Sequence, residues 1–303
     1  MNEVGNKQSA GERRLMAVHA HPDDEASKGA GTCAKYAKSG RVRIVTCTGG
    51  ERGDVLNSAL LADADIAKNL VQVRRAEMAA SVQALGVEHV WLGFEDSGLP
   101  AGDPLPPLPA GCFATVPIDE PVRALVQQIR EFRPQVLTTY DEQGGYPHPD
   151  HIRTHIISIM AVAAAHDPQA YPECGEPWQV SKVYYDISFA TPRVTALQDA
   201  LLSAGMESPF SGWLARHEKI DSERGFERIP DARIDVAEFF PQRDAALRAH
   251  ATQIDPDGFF FAVPRELEAQ AWPWEEFELA LTAVGRPKPG QIETDLFERI
   301  PGL

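Results

Sequence analysis

The stretch RLMAVHAHPDDE at residues 14–25 decides the fold of this chain. Its apolar part, Arg14–Ala20, predicts a buried strand, and Pro22 favours the start of a helix, which we predict over Asp23–Ser39. A second strand is predicted after that helix, at Arg41–Thr48 (RVRIVTCT). A strand, a helix and a strand joined by short connections indicate a parallel sheet covered by helices.

The same alternation continues to about residue 190. Further strands are predicted at His89–Phe94, Gln135–Tyr140 and Lys182–Ser188, and further helices at Ala64–Leu85, Glu120–Phe132 and His151–His166. We therefore predict an α/β fold with a mostly parallel sheet flanked by helices. Ligands of such sheets bind outside the carboxyl ends of the strands, so a site is expected in the loops that follow them.

The chain divides into three predicted parts. Residues 1–13 are polar and are expected to be a flexible lead-in, and residues 14–190 are predicted to form the sheet domain. Residues 191–303 are less regular, with one helix predicted at Phe240–Thr252, and are predicted to form a smaller lobe packed on the sheet. The aromatic residues of this lobe either line the outer pocket or belong to the core: Phe259–Phe261, Trp272, Trp274 and Phe277.

The composition narrows the class of partner. The 303 residues carry 44 acidic and 29 basic side chains, a net charge of -15, which argues against binding to nucleic acid or to an anionic membrane. No apolar stretch reaches the roughly 18 residues of a membrane span. The four cysteines lack CxxC spacing and the amino terminus lacks a secretory signal, so we expect reduced thiols and a cytoplasmic protein. The sequence does not predict an oligomeric state.

Two polar clusters follow predicted strands. The first, HAHPDDE at residues 19–25, sets three consecutive acids beside two histidines. Acids in a first helical turn favour the helix dipole and cap free N–H groups, which explains one or two of them but not the histidines. The second, YPHPDH at residues 146–151, stands after another strand of the same sheet.

If those strands are near neighbours, the two loops converge. Histidine and aspartate from one loop and histidine from the other make a three-ligand N/O set with an open position, as in catalytic zinc sites. Ferrous iron also accepts such a set. Capping and structural polar networks remain the alternative interpretation.

Such a site indicates metal-assisted hydrolysis. The metal acidifies water and polarises a carbonyl, a carboxylate beside it takes the proton, and an imidazole or a phenol serves the oxyanion and the leaving group. Tyr146 and His148 are the available donors, and no G-x-S-x-G or Cys–His signature competes. Three weaker features, the glycine-rich loop at residues 48–53, His155 and His250, are interpreted as structural rather than as a nucleotide site or ligands.

The motifs also resemble a known family. AVHAHPDDE at residues 17–25, TGGERG at 48–53 and GGYPHPDH at 144–151 are similar to the LmbE-like zinc deacetylases, which include the phosphatidylinositol-glycan (PIG-L) de-N-acetylases. The likeness covers nearly the whole chain from about residue 14 and is greatest to the subgroup that acts on mycothiol S-conjugates. It implies that residues 14–190 form a Rossmann-like, zinc-binding catalytic domain and that the lobe at residues 191–303 completes its substrate pocket.

The resemblance also implies a role for individual residues. The implied zinc ligands are His21, Asp24 and His151, and the implied catalytic groups are the base Asp23 with Tyr146 and His148. The implied substrate-binding residues are Lys28, Glu51, Arg74 and Asp96, of which Lys28 is typical of the amidases rather than the deacetylase. His19 is expected to support the ligands or to be structural.

The implied reaction is hydrolysis of the amide bond of a mycothiol S-conjugate, a small-molecule thiol conjugate. Its products would be a mercapturic acid (an N-acetylcysteine S-conjugate) and glucosaminyl-inositol, in detoxification or in a biosynthetic pathway that uses mycothiol. The alternative within the same family is deacetylation of N-acetylglucosaminyl-inositol. A third possibility, a sugar- or nucleotide-binding module without catalysis, is disfavoured because binding alone requires no spare carboxylate at Asp23.

Overall fold

The computed structural model describes residues 11–216 and 228–303. Within them, one sheet has the strand order β3-β2-β1-β4-β5-β7-β6. The strands are β1 (Arg14–His19), β2 (Arg41–Thr48), β3 (Glu88–Phe94), β4 (Val136–Thr139), β5 (Lys182–Ile187), β6 (Ala232–Asp235) and β7 (Trp274–Thr282). Strands β1 to β5 are parallel, and β7 runs antiparallel to both β5 and β6. The predicted α/β fold with a mostly parallel sheet is confirmed.

Helices cover both faces of this sheet. They are α1 (Asp24–Ser27), α2 (Ala30–Ala37), α3 (Ala64–Lys68), α4 (Leu70–Leu85), α5 (Asp119–Phe132), α6 (Pro149–His166), α7 (Thr191–Ser203), α8 (Phe240–Ala249) and α9 (Arg265–Ala271). The central strand β1 shows why two layers form, because Leu15 and Ala17 belong to one apolar cluster and Met16 and Val18 to the other. A strand that is buried on both faces has a continuous run of apolar residues in its sequence, as β1 does.

Two helices predicted as continuous are broken. The predicted helix at Asp23–Ser39 splits into α1 and α2, because Lys28 is extended (φ -135°) and Gly29 is left-handed (φ 69°). The predicted helix at Ala64–Leu85 splits into α3 and α4 at Asn69. Lys28, the residue at the first break, donates to Asp24 four positions earlier and so lies at the site.

The C-terminal segment contributes strands that the sequence pattern did not reveal. Strands β6 and β7 extend the sheet beyond β5, and the Glu275 carboxylate accepts the backbone N–H groups of Gly31 and Thr32 at the start of α2. The helix predicted at Phe240–Thr252 ends at Ala249. The division into a catalytic domain and a lobe stays a prediction.

Other expectations concern the chain as a whole. The predicted lead-in lies outside the described residues up to residue 10, whereas Gly11 donates a backbone hydrogen bond to Gly302 and Arg13 pairs with Asp295. All four cysteines are free thiols. Among the described helices, none has the length and apolar character that crossing a bilayer requires.

Candidate active site

The site forms where two neighbouring strands end. Strands β1 and β4 pair in parallel, so the segment that leads into α1 and the segment that leads into α6 emerge at the same edge of the sheet. The first segment carries His21 and Asp24, and the second carries His151. The convergence expected from the two motifs is therefore present.

Three ligand atoms from these segments form a small triangle, which we call the ligand triangle. Nδ1 of His21 lies 3.3 Å from Nε2 of His151, and Oδ2 of Asp24 lies 3.6 Å from the former and 3.5 Å from the latter. A tetrahedral zinc ion with bonds of about 2.0–2.1 Å holds neighbouring ligands about 3.3 Å apart. The buried triangle thus has the size of one face of such a site, and it could hold a divalent metal ion.

Hydrogen bonds outside the ligand triangle orient its members. Nδ1 of His151 lies 2.9 Å from the Gly144 carbonyl, to which its N–H donates, and this leaves the lone pair of Nε2 facing the triangle. Gly144 has a φ of 73°, and a Cβ at that position would lie 2.6 Å from Cβ of His151, so glycine is required there. Nε2 of His21 lies 3.2 Å from Oδ2 of Asp150, which fixes the other imidazole in the same way.

Both oxygens of the Asp24 carboxylate are also held. Tyr140 donates its hydroxyl to Oδ2 at 2.7 Å, and Lys28 donates its ammonium to Oδ1 at 2.7 Å. Burial alone would raise the pKa of Asp24, but Lys28, His151 and His21 hold that pKa well below its ordinary value. The carboxylate is therefore ionised, as a metal ligand must be.

The two imidazoles have different electrostatic surroundings. Burial lowers the pKa of His151 to about 3, so this side chain is neutral. Burial would also lower the pKa of His21, but hydrogen bonds to Asp150 and Asp96 raise it to about 10. The acidic groups around His21 therefore favour positive charge at this imidazole, and a metal ion on Nδ1 would take the place of the proton there.

Asp23 is a carboxylate beside the triangle but outside it. Its backbone is left-handed (φ 106°), its N–H donates to Oε2 of Glu25 at 2.9 Å, and its Oδ2 lies 3.3 Å from Nη2 of Arg74. Burial raises the pKa of Asp23 to about 6 against the opposing charge of Arg74. A carboxylate with a pKa near neutrality has the strength expected of a general base.

His148 and Tyr146 come from the segment between Tyr140 and His151. Nδ1 of His148 accepts the Asp150 backbone N–H at 3.1 Å, so a neutral ring carries its proton on Nε2. Although His148 lies within ligand distance of His21 and Asp96, it has no free lone pair for a metal in that state. It is a hydrogen-bond donor instead.

Tyr146 is the exposed member of the site. Its side chain is 44% exposed, and its ring packs edge-on against His151 with centroids 4.5 Å apart. Burial of the phenol and the negative charges of Asp24 and Asp23 raise the pKa of Tyr146. The phenol thus keeps its proton at neutral pH and can donate it in a hydrogen bond.

The predicted substrate-binding residues fall into two groups. Arg74, Glu51 and Asp96 lie on the β2–β3 side, where Oε2 of Glu51 accepts the Asp96 N–H at 2.9 Å. The guanidinium of Arg74 is buried and donates to the carbonyls of Pro22 and Gly50 at 2.7 and 2.9 Å. Lys28 is separate from them because it contacts Asp24.

Sequence reasoning missed Tyr140 and Asp150 as supports of the ligands. Tyr140 is the last residue of the predicted strand QVLTTY, and Asp150 is the aspartate of HPDH. The only available signal for either residue was that a polar group stands at the end of a strand or inside a histidine motif. His155 contacts the Tyr140 carbonyl through Nδ1 at 3.1 Å and is not part of the triangle. His250 lies 2.6 Å from Oε1 of Glu25, and both are fully buried.

Comparison with known proteins identifies the family to which this chain belongs. A family model described as GlcNAc-PI de-N-acetylase (PIG-L) matches residues 16–162. Relatives are similar along nearly the whole chain, and the chain belongs to this family, which confirms the resemblance seen in the motifs. Over 290 residues it is 54% identical to the mycothiol S-conjugate amidase of Streptomyces coelicolor, covering 95% of this chain and 97% of that protein.

Two further likenesses are informative. The chain is 40% identical over 300 residues to the 1D-myo-inositol 2-acetamido-2-deoxy-α-D-glucopyranoside deacetylase of Streptomyces avermitilis, covering 95% of this chain and 98% of the relative. Among solved structures, the N,N′-diacetylchitobiose deacetylase of Pyrococcus horikoshii superposes with a TM-score of 0.59 at 19% identity, covering 90% of this chain and 86% of that one. The second likeness shows a shared fold.

Proposed function

We propose that this protein is a metal-dependent amidase that hydrolyses the amide bond of mycothiol S-conjugates. The products would be an N-acetylcysteine S-conjugate and glucosaminyl-inositol. The observation that carries the proposal is a carboxylate, Asp23, placed next to a complete triangle of possible metal ligands in a chain 54% identical to a mycothiol S-conjugate amidase.

His21, Asp24 and His151 would hold the metal. Zinc suits two imidazoles and one carboxylate, and ferrous iron suits them also. When bound, the metal would supply Lewis-acid chemistry, polarising the amide carbonyl and acidifying water. The support in this chain is the spacing of the three atoms, 3.3 to 3.6 Å, together with the partner that orients each of them.

The remaining residues would handle protons. Asp23 would accept one proton from the attacking water as the bond between its oxygen and the carbonyl carbon forms. His148, through its Nε2–H, and Tyr146, through its phenol, would donate hydrogen bonds to the developing oxyanion. The C–N bond then breaks, and the nitrogen leaves as an amine after receiving the proton that Asp23 took up.

The substrate would lie across the sheet edge. We propose that the hydroxyls of the glucosaminyl-inositol half meet Arg74, Glu51 and Asp96 on the β2–β3 side, and that Lys28 faces the acyl half. A cytoplasmic role in thiol-dependent detoxification, or in a biosynthetic step that uses mycothiol, belongs to the same proposal.

A deacetylase of N-acetylglucosaminyl-inositol is the second candidate, favoured by the 40% identity to a deacetylase with that substrate class in its name. A comparison of kcat/KM on the zinc-loaded protein separates the two. The proposal expects faster hydrolysis of a mycothiol thioether than of N-acetylglucosaminyl-inositol. The reverse preference would make the protein a deacetylase, and activity that survives chelation of the metal would overturn both.

A further inference from the structure

A cavity lies at the carboxyl end of β5 and is lined in part by α1, the helix that begins at Asp24. Ala26, Ser27 and Gly29, from α1 and the break after it, form one wall, and the segment 186–189 forms another. The rest of the lining comes from α7 and the residues after it and includes six aromatic side chains: Phe210, Phe259, Phe260, Trp272, Trp274 and Phe277. The cavity thus joins the helix that carries Asp24 to the aromatic tail.

Four polar atoms in this lining are buried without a hydrogen-bond partner among the described residues. Three are donors, Nε of Arg193 and the Nε1 atoms of Trp272 and Trp274, and the fourth is Oδ2 of Asp186. Buried polar groups are nearly always hydrogen-bonded, because leaving one unpaired is costly. Four unpaired atoms around one cavity therefore indicate a ligand that accepts hydrogen bonds and also donates one.

The sheet order places this cavity relative to the bond that is cleaved. Strands β1 and β4, which carry the ligand triangle, stand in the middle of the sheet, with β2 and β3 on one side and β5 and β7 on the other. The proposed sugar-binding residues Glu51 and Asp96 follow β2 and β3. The two halves of an amide leave its C–N bond in opposite directions, so the acyl half points toward β5 and β7.

We infer that the cavity binds the acyl half of the substrate, an N-acetylcysteine with its S-substituent. The inference rests on the proposed function. The acetamide oxygen would accept from the tryptophan or arginine N–H groups, and the acetamide N–H would donate to Asp186. The aromatic walls would take an apolar or aromatic S-substituent, since burying such surface is favourable.

A substitution that fills the cavity tests this assignment. Ser188 lines the cavity in the loop after β5 and is partly exposed, so Ser188→Trp adds bulk there without opening the core. The matched control is Ser203→Trp, at the exposed end of α7. We expect Ser188→Trp to lower kcat/KM for an S-benzyl conjugate of mycothiol by about tenfold or more relative to an S-methyl conjugate, and the control to leave the ratio unchanged.

A second variant tests the hydrogen bonds without relying on turnover. Trp274→Phe keeps an aromatic ring but removes the unpaired Nε1–H, and the control Trp178→Phe removes an N–H that donates to the Pro134 carbonyl at 2.7 Å. Calorimetry would measure binding of the product N-acetyl-S-benzylcysteine. We expect binding roughly 2- to 10-fold weaker in Trp274→Phe and unchanged in the control.

The outcomes distinguish a failure of the cavity assignment from a failure of the proposed amidase function. If the unsubstituted protein cleaves both conjugates and Ser188→Trp slows them equally, the amidase function stands and the cavity is not the acyl site. If Trp274→Phe and its control bind the product equally well, the cavity is again rejected as the acyl site. If the unsubstituted protein cleaves neither conjugate, the proposed function fails and the inference fails with it.

Discussion

The phenol of Tyr140 donates a hydrogen bond of 2.7 Å to Oδ2 of Asp24, although the two residues are 116 positions apart. The same hydroxyl accepts the backbone N–H of Ala20 at 2.8 Å. One side chain from the end of β4 therefore fixes both the backbone where β1 ends and the carboxylate that follows it. The position of Asp24, a proposed metal ligand, is thus set by a residue outside both histidine motifs.

Tyr140→Phe is expected to weaken metal binding by about 10- to 100-fold, the usual effect of losing a partner that orients a ligand. The reason is that Asp24 loses one of the two donors to Oδ2, leaving only the His21 backbone N–H. Competition with a chromophoric chelator would measure the zinc affinity. Tyr171→Phe is the control, since its hydroxyl bonds to the exposed Asp119; an equal loss in both variants would contradict the prediction.

The ligand triangle and the base are expected to separate under mutation. His21→Ala and His151→Ala should each lose stoichiometric metal, measured by elemental analysis of the purified protein. Asp23→Asn should keep the metal and lose roughly 10²- to 10⁴-fold in kcat, the range for removal of a general base. Full metal content in both histidine variants would reject the ligands, and near-full turnover in Asp23→Asn would reject the base.

Lys28→Met tests two roles of one ammonium group. Its bond to Oδ1 of Asp24 predicts a loss of activity on every substrate, because the same carboxylate serves them all. A role in binding the acyl half adds a further loss for mycothiol thioethers over N-acetylglucosaminyl-inositol. We therefore expect kcat/KM for a mycothiol thioether, divided by kcat/KM for N-acetylglucosaminyl-inositol, to fall in Lys28→Met. An unchanged ratio would mean that Lys28 only orients Asp24 and does not bind the acyl half of the substrate.

The buried pair of His250 and Glu25 is expected to stabilise the fold. Glu25 also accepts the backbone N–H of Asp23, so the pair holds the loop of the base. His250→Ala leaves a buried carboxylate without its charged partner, and we expect the free energy of unfolding to fall by about 3–5 kcal/mol. Urea denaturation would measure it, with the exposed His166→Ala as the control; similar values for the two variants would refute the assignment.

Glu268 is expected to make stability depend on acid pH. Burial alone would raise its pKa, but Arg243, Arg193 and Arg265 lower the pKa from 4.5 to about 2. A lowered pKa means that the stabilisation is complete above about pH 5 and disappears as the pH falls, by about 1 kcal/mol at pH 4 and about 2 kcal/mol at pH 3. Denaturation curves of the protein and of Glu268→Gln should show a flatter pH dependence in the variant. Parallel curves would rule this role out.

Much of the site could be predicted from the sequence because its signals are local. Strand β2 has the predicted bounds, β1, β3 and β5 differ from the predictions by one residue at one end, and β4 differs by one residue at each end. His21 and Asp24 lie in the segment after β1, and His151 lies at the start of the helix after β4. Their meeting required only that β1 and β4 be neighbours, which the parallel sheet provides.

The rest depends on contacts between distant residues. Strand β7 (WEEFELALT) carries charged residues among its apolar ones, and its place beside β5 follows from pairing across about ninety positions rather than from its own pattern. The break at Lys28 and Gly29 falls at a glycine, a residue of low helix propensity, but the apolar pattern continues through it and predicted one helix. Asp186, Trp272 and Trp274 come together only once β5 and β7 have paired.

Strand β7 comes last in the sequence, and this position has an evolutionary consequence. The residues of the ligand triangle all precede position 152, whereas most of the aromatic wall of the cavity comes from residues after position 258. Changes in the tail can therefore reshape the cavity while the hydrolytic centre is inherited intact. Selection for new conjugates would then leave its traces in the last quarter of the chain, far in sequence from the histidine motifs by which such proteins are recognised.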